Sequence, residues 1–466
     1  MRYISTRGDA PILGFEDAVL TGLARDGGLY WPERFPRLEP DEIAALRGQP
    51  YERAALRVMR PFVGDAYDEA GLARLIERAY AVFRHPARAP LVQVGPADWL
   101  LELHHGPTLA FKDFAMQIVA RWFEDILARR RGRATIVCAT SGDTGSAAME
   151  AFRGLDRVDV VVLYPHGRVS DVQRRQMTTP SEPNVHALAV EGTFDDCQAL
   201  VKAMFADERF RAEVALGAVN SINWGRVLAQ VVYYFTAAAA LGAPERPVSF
   251  SVPTGNFGDV LAGEVARRMG LPISTLVVAT NENDILHRAM TGGIAETRAV
   301  EPTVAPSMDI QVSSNFERLL FELMGRDGRA TARAMAESRE SGRVSLPRGA
   351  RERLAGGWAS ARSDRATTLS TIERIARETG QVIDPHTAIG VHAARECRRD
   401  PSEAMVTLAT AHAAKFPDAV VEACGQHPAL PAHLADLYAR PERVARVAND
   451  LVAVQAAIRE RCAVGA

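Results

Sequence analysis

Only three of the 55 basic side chains are lysine, Lys112, Lys202 and Lys415; the other 52 are arginine. An arginine guanidinium stays protonated and cannot form a Schiff base, whereas a lysine amine can. In a chain this poor in lysine, each remaining amine is a place to look for chemistry. Lys112 stands in HGPTLAFKDF, between Phe111 and Phe114 and just ahead of an apolar helical stretch. Aromatic neighbours strip water from an amine and lower its pKa. Bringing it from ~10.4 to the ~7–8 useful in acid–base work takes about 3 units, roughly 4 kcal/mol, which a dry pocket with a second cation can supply. Asp113 would oppose that shift if it pointed inward, so it is expected to face elsewhere. Lys202 falls in a regular amphipathic pattern and is expected to be solvated.

Two turns are glycine-rich and each follows a β-type run: Thr140-Ser-Gly-Asp-Thr-Gly145 and Pro253-Thr-Gly-Asn-Phe-Gly-Asp259. Glycine lets a backbone approach a ligand closely, and the free N–H groups of the following helix point at it. With the helix dipole this makes an anion cup, worth ~0.3–1 kcal/mol and up to ~2 when partly buried. The same residues also serve as ordinary turn and N-cap formers. Two cups suggest a ligand set with two anionic groups. Neither G-x-x-x-x-G-K-[ST] nor G-x-G-x-x-G occurs, which removes the usual sequence support for NTP or NAD chemistry.

The elements that must position these residues follow from periodicity. Apolar spacing of three and four predicts helices over Phe15–Arg25, Asp41–Arg47, Glu52–Val63 and Glu69–Phe83, so 1–90 is expected to be an N-terminal helical domain. The proline-bearing stretch Arg84–Pro96 marks its end. Ala134–Thr140, Val158–Tyr164, Val185–Val190, Val248–Val252, Ile273–Ala279 and Ala404–Leu408 read as strands. Ser146–Arg153, Phe194–Ala206, Val219–Leu241 and Val260–Met269 read as the helices between them. Such alternation predicts an α/β protein with mainly parallel sheets covered on both faces. Two α/β lobes are expected, 91–245 carrying Lys112 and the first cup, and 246–466 carrying the second. The apolar run Val227–Ala243 is predicted to be a buried helix rather than a membrane span. The charged segment 326–375 is read as a solvated helical face.

The 466 residues are 47% apolar and carry a formal net charge of −2. That balance excludes a basic nucleic-acid binder, a membrane-surface protein and a disordered chain. The opening MRYISTRGDAP lacks an apolar h-region and does not read as a signal peptide. Five widely spaced cysteines with no C-x-x-C pair argue against a disulfide framework or structural zinc, and a cytoplasmic location is expected.

PTLAFKDF, CATSGDTGSA, QMTT, SINWGRVLAQ, VPTGNFGD, PSMDIQVSSNFERLLF, DPHTAIG and LATAHAAKFPDA occur in this order. Together they closely resemble the threonine synthases, specifically the longer subfamily with an N-terminal helical domain. Two departures are His104, where that family is expected to have phenylalanine before HGPT, and Ala413, where proline is expected. The resemblance implies a pyridoxal-phosphate enzyme of the tryptophan synthase β-like fold, with Lys112 as the residue that carries the cofactor. It implies that Thr254, Gly255, Asn256, Phe257 and Gly258 hold the cofactor phosphate, and that the Thr410 hydroxyl meets the ring nitrogen. Ser141, Gly142, Asp143 and Thr144 then correspond to the segment that holds the substrate carboxylate. For the substrate phosphate, Ser313, Ser314, Asn315 and Arg318 are the expected donors, with Lys415 and Arg168 behind them. Asp384-Pro385-His386-Thr387 resembles a family motif and also reads as a turn and helix start.

The implied reaction converts O-phospho-L-homoserine and water to L-threonine and phosphate, under domain closure. The implied enzyme is a monomer or small homo-oligomer. A phospho-lyase or dehydratase of the same cofactor family would release a keto acid instead. A non-catalytic binder is expected to have lost the lysine or a cup, and both are present.

Overall fold

The computed structural model describes residues 1–462. Six strands form one sheet in the order Trp358–Arg362, Ile273–Thr280, Val248–Pro253, Ala404–Ala409, Asp98–Glu102, Leu91–Gln93. All neighbours are parallel except the last pair. A five-stranded, all-parallel sheet runs Ala445–Val447, Val185–Val190, Val158–Pro165, Ala134–Ala139, Leu216–Gly217. Covered parallel strands read as unbroken apolar runs, and every residue of Val158–Pro165 is buried. Both cups lie at carboxyl ends of strands, where open α/β sheets bind ligands.

The chain does not change sheet where the sequence predicts. Leu91–Gln93 and Asp98–Glu102, placed by sequence in the 91–245 lobe, belong to the six-stranded sheet. Ala445–Val447, placed in the 246–466 lobe, pairs with Val185–Val190 and edges the five-stranded one. The helix Leu451–Arg461 follows it, burying Val454 and Ile458 against Val161, Leu163 and Leu188. A crossing of this kind has no local signal, because a strand's partner is set by tertiary pairing.

The 1–90 segment shares its core with the rest of the chain. Its helices, including Phe15–Thr21, Tyr51–Val63 and Glu69–Tyr80, start close to their predicted positions and the first and last stop short. Two short strands, Tyr3–Ser5 and Tyr30–Pro32, pair antiparallel beside them. The Trp224 ring meets Tyr3, Trp31 and Phe62 at centroid distances of 5.8, 5.4 and 5.5 Å. Trp224 opens the helix Trp224–Ala240, capped by Asn223, which is buried on nearly all sides as predicted for the apolar run. Among the described residues no helix is long and apolar enough to cross a membrane. Within 326–375, the helix Gly328–Ser341 buries only Thr331 and fits a solvated face. Trp358–Arg362 is instead the edge strand of the larger sheet. Its five residues are too short to show a period.

Candidate active site

Lys112 is the first residue of the helix Lys112–Arg130, and its loop is zipped to the loop after Ala404–Ala409. Phe111 N donates to Thr410 O at 2.9 Å and His412 N to Leu109 O at 3.0 Å. These bonds bring Lys112 and Thr410 to one cavity between the sheets. That cavity is also lined by Asp143 and Thr144, by every residue from Pro253 to Asp259, and by Ser307 and His386.

The amine is held by a carboxylate. Lys112 Nζ lies 3.2 Å from Asp143 Oδ2, and Lys415 Nζ lies 2.8 Å from Asp143 Oδ1. Gln173 Nε2 donates to Oδ1 at 2.9 Å and Ser307 Oγ to Oδ2 at 3.2 Å. Burial lowers the pKa of Lys112; Asp143 opposes the shift, while Lys415 and Arg226 add to it. Burial alone would raise that of Asp143, but Lys112 and Lys415 outweigh it and hold the carboxyl well below the usual range. Asp113 turns away, accepting from Thr108 N at 2.8 Å and Thr108 Oγ1 at 2.6 Å, and burial pushes it up to about 6.

Thr254–Gly258 form a cup in the geometric sense. Thr254 N is anchored to Ala279 O at 2.9 Å, and Phe257 takes a left-handed φ of 62° immediately before the helix Gly258–Arg268. The Phe257 ring anchors that turn, stacking on Trp358 at 5.8 Å. A side chain on Gly255 would meet Ser307 O at 2.8 Å, so the backbone here can only be bare.

Four predicted substrate-phosphate residues stand elsewhere. Ser313 Oγ donates to Gly255 O at 2.8 Å, and Asn315 Nδ2 donates to Asn256 O and Ser221 O, each at 3.0 Å. Arg318 is fully buried, donating to Tyr30 O at 2.6 Å, to Ile222 O at 2.7 Å and to Asn315 Oδ1. Burial pulls its pKa down to about 9. Ser313, Ser314, Asn315 and Arg318 therefore do not line the cavity, and the bonded ones brace the cup from behind. Their donors are spent on backbone carbonyls, a direction that a motif does not reveal. Lys415 is likewise spent, on Asp143 and on Thr108 O at 2.8 Å. Arg168 is exposed and outside the lining. Lys202 is exposed, as predicted.

In the first glycine-rich turn, Asp143 and Thr144 reach the cavity, while Ser141 and Gly142 are not in its lining. Asp143, being an anion already paired with two lysines, cannot itself hold a substrate carboxylate. Gly142 has a φ of 134°, and Gly142 N and Gly145 N both donate to Thr140 Oγ1 at 2.9 Å. His104 lies in the loop before Lys112, its ring 5.2 Å from that of His412, and burial drives its pKa down to about 3. Ala413 starts the short turn that carries Lys415. Sequence reasoning missed Gln173, Ser307 and Asp259; Asp259 had a signal as the residue that ends PTGNFGD, and Ser307 as the second residue of PSMDIQVSSNFERLLF.

The donor set suits one kind of group: an aldehyde for the Lys112 amine, a phosphate for the cup, and a ring nitrogen within reach of Thr410. The bare backbone at Gly255 gives the phosphate the close approach it needs. Fold and site together define a pyridoxal-phosphate-dependent enzyme of the tryptophan synthase β-like class. Family models agree: residues 2–80 match the threonine synthase N terminus, 82–361 the pyridoxal-phosphate dependent enzymes, and 387–458 the threonine synthase C-terminal region. The threonine synthase of Pseudomonas aeruginosa is 55% identical over 99% of this chain and 98% of its own. A crystal structure of PLP-bound threonine synthase from Brucella melitensis superposes with a TM-score of 0.96 at 53% identity, covering 99% of both chains. The yeast threonine synthase structure gives 0.93 at 39% identity, covering 99% of this chain and 98% of that one. The chain belongs to the threonine synthase family.

Proposed function

We propose that this enzyme converts O-phospho-L-homoserine and water to L-threonine and inorganic phosphate. The observation that carries the reading is the buried Lys112 amine, set between Asp143 and the Thr254–Gly258 cup in one cavity. Pyridoxal phosphate, when bound, supplies the electron sink that makes protons on the substrate carbons removable. The rest is the work of the chain. Lys112 attaches the cofactor and, with its pKa lowered by burial, takes and returns the proton at Cα. Asp143 fixes where that amine stands. The cup amides and Thr254 orient the cofactor phosphate, and Thr410, as a neutral hydroxyl, meets the ring nitrogen without donating full charge. Thr144 and the backbone of Ser141 and Gly142 are the proposed seat of the substrate carboxylate. Closure of the two sheets over the cavity would keep bulk water out until phosphate has left.

The reading extends to setting. Five cysteines without a disulfide fit a reducing compartment and a cytoplasmic enzyme. A monomer or a small homo-oligomer belongs to the same reading.

The test is threonine and phosphate formed from O-phosphohomoserine by wild type and by Lys112→Ala. Equal amounts of both products, with threonine reduced below detection in the variant, is the expected result. Phosphate with a keto acid and no threonine would make the protein a phospho-lyase. No turnover by a yellow, borohydride-reducible protein would make it a binder.

A further inference from the structure

The helix Pro385–Cys397 opens on Asp384, whose carboxylate accepts from His386 N at 3.0 Å and Thr387 N at 3.1 Å. That is helix capping, as the sequence suggests. The same carboxylate does something capping does not require: its Oδ2 lies 2.7 Å from His386 Nδ1. Facing a carboxylate oxygen, Nδ1 carries a proton, and Nε2 becomes the working nitrogen. Among the described residues Nε2 has no hydrogen-bond partner; it is buried, and the imidazole is only 4% exposed and lines the reaction cavity. The Phe416 ring packs on it at 4.8 Å. The charged groups nearest it are Asp384, at the start of its own helix, and Asp143 and Asp309 from other elements.

A carboxylate that fixes one imidazole nitrogen, in a ring that lines a reaction cavity and leaves the other nitrogen unpaired, has the parts of an acid–base device. The other titratable lining groups are placed for different work. Lys112 and Asp143 hold each other. Asp259 has an open Oδ2, but it sits in the first turn of the cup helix, where Tyr233 and Tyr234 hydroxyls donate to Oδ1 at 2.5 and 3.1 Å.

We propose that His386 is a further catalytic residue, carrying a proton between the departing phosphate and the entering water. The assignment rests on the substrate reading given above. In that reaction protons leave Cα, Cβ and water, and protons arrive at Cα, Cγ and the phosphate. As the Cγ–O bond breaks and its electron pair leaves with the phosphate, His386 Nε2–H gives its proton to a phosphate oxygen. The neutral imidazole then takes the proton of water as the water oxygen bonds to Cβ. His386 ends as it began, its Nδ1 still held by Asp384, and Lys112 is left to handle protons on carbon.

The experiment uses the holoenzyme in D2O with O-phosphohomoserine, following threonine, phosphate and exchange of the substrate Cα proton by NMR. For His386→Asn, threonine formation is expected to fall ~10²–10⁴-fold, while Cα exchange stays near the wild-type rate and the visible cofactor band is retained. A parallel loss of exchange and threonine would overturn the assignment, reducing His386 to a packing role. Unchanged threonine formation would overturn it as well. Asp384→Asn gives an independent reading: a displaced limb in the kcat–pH profile supports the pair, and an unmoved profile refutes it even if His386→Asn fails to fold. Wild type that makes no threonine would sink the substrate reading itself, which is a different outcome from an active wild type with an equally active variant.

Discussion

The two glycine-rich turns look alike in sequence, yet the fold uses them in opposite ways. Both leave a parallel strand and open a helix, so both present a positive helix end, but Gly142 N and Gly145 N of the first turn are already bound to Thr140 Oγ1. In the Thr254–Gly258 turn that field stays available to a ligand. In the Thr140–Gly145 turn the first helical residue is Asp143, a buried carboxylate already paired with Lys112 and Lys415. One turn is the proposed anion site; the other has its own anion, Asp143, paired with two amines. The glycines differ accordingly. Gly142 has a φ of 134°, and a Cβ there would stand 2.4 Å from Gln173 Cδ, whereas one on Gly258 would meet nothing closer than Asn315 Nδ2 at 3.4 Å.

The contrast can be broken most severely at Gly142. Gly142→Ala combines backbone strain with overpacking, roughly 3–5 kcal/mol of lost stability, read as a fall in the denaturant midpoint. Gly258→Ala should stay within about 1 kcal/mol by the same measurement, and an equal loss at both would erase the distinction. Next is Asp143→Asn, which strands two buried amines and should cost about 3 kcal/mol at neutral pH. The sign with pH follows from linkage. Asp143 has a depressed folded pKa, so its contribution is complete above the ordinary carboxyl range and is lost as pH falls through the folded value. The gap between wild type and variant should therefore narrow in strong acid, which unfolding curves across pH would show. A smaller loss is expected for Arg318→Lys, about 2 kcal/mol from lost hydrogen bonds to Tyr30 O and Ile222 O. Cofactor affinity should weaken with it while KM for substrate holds; a raised KM would restore Arg318 to the substrate phosphate.

Much of this site was legible because its signals are local. Lys112 stood out by the rarity of lysine, and both cups by glycine after an apolar strand. The parallel sheets were readable because strands covered on both faces are mostly apolar, even where they carry a buried Asp159 or Ser251. Direction was not legible. Nothing in SSNFER says that Ser313, Asn315 and Arg318 point at carbonyls behind the cup, since that depends on Tyr30 and Ile222 arriving from distant parts of the chain. Asp384-Pro385-His386-Thr387 was readable as a helix start, and it is one; that its imidazole opens on the cavity follows only from tertiary packing.

The crossing of residues 445–461 back to the five-stranded sheet sets an order on biosynthesis. Val185–Val190 emerges from the ribosome more than 250 residues before Ala445–Val447, the strand that completes its edge. Until then Val185–Val190, paired on one side with Val158–Pro165, has an open outer edge, and the apolar face of Val161, Leu163 and Leu188 lacks Val454 and Ile458. The sheet that has four of its five strands by residue 217 is thus finished last, and a ribosome that stalls before residue 445 releases a chain with an adhesive edge.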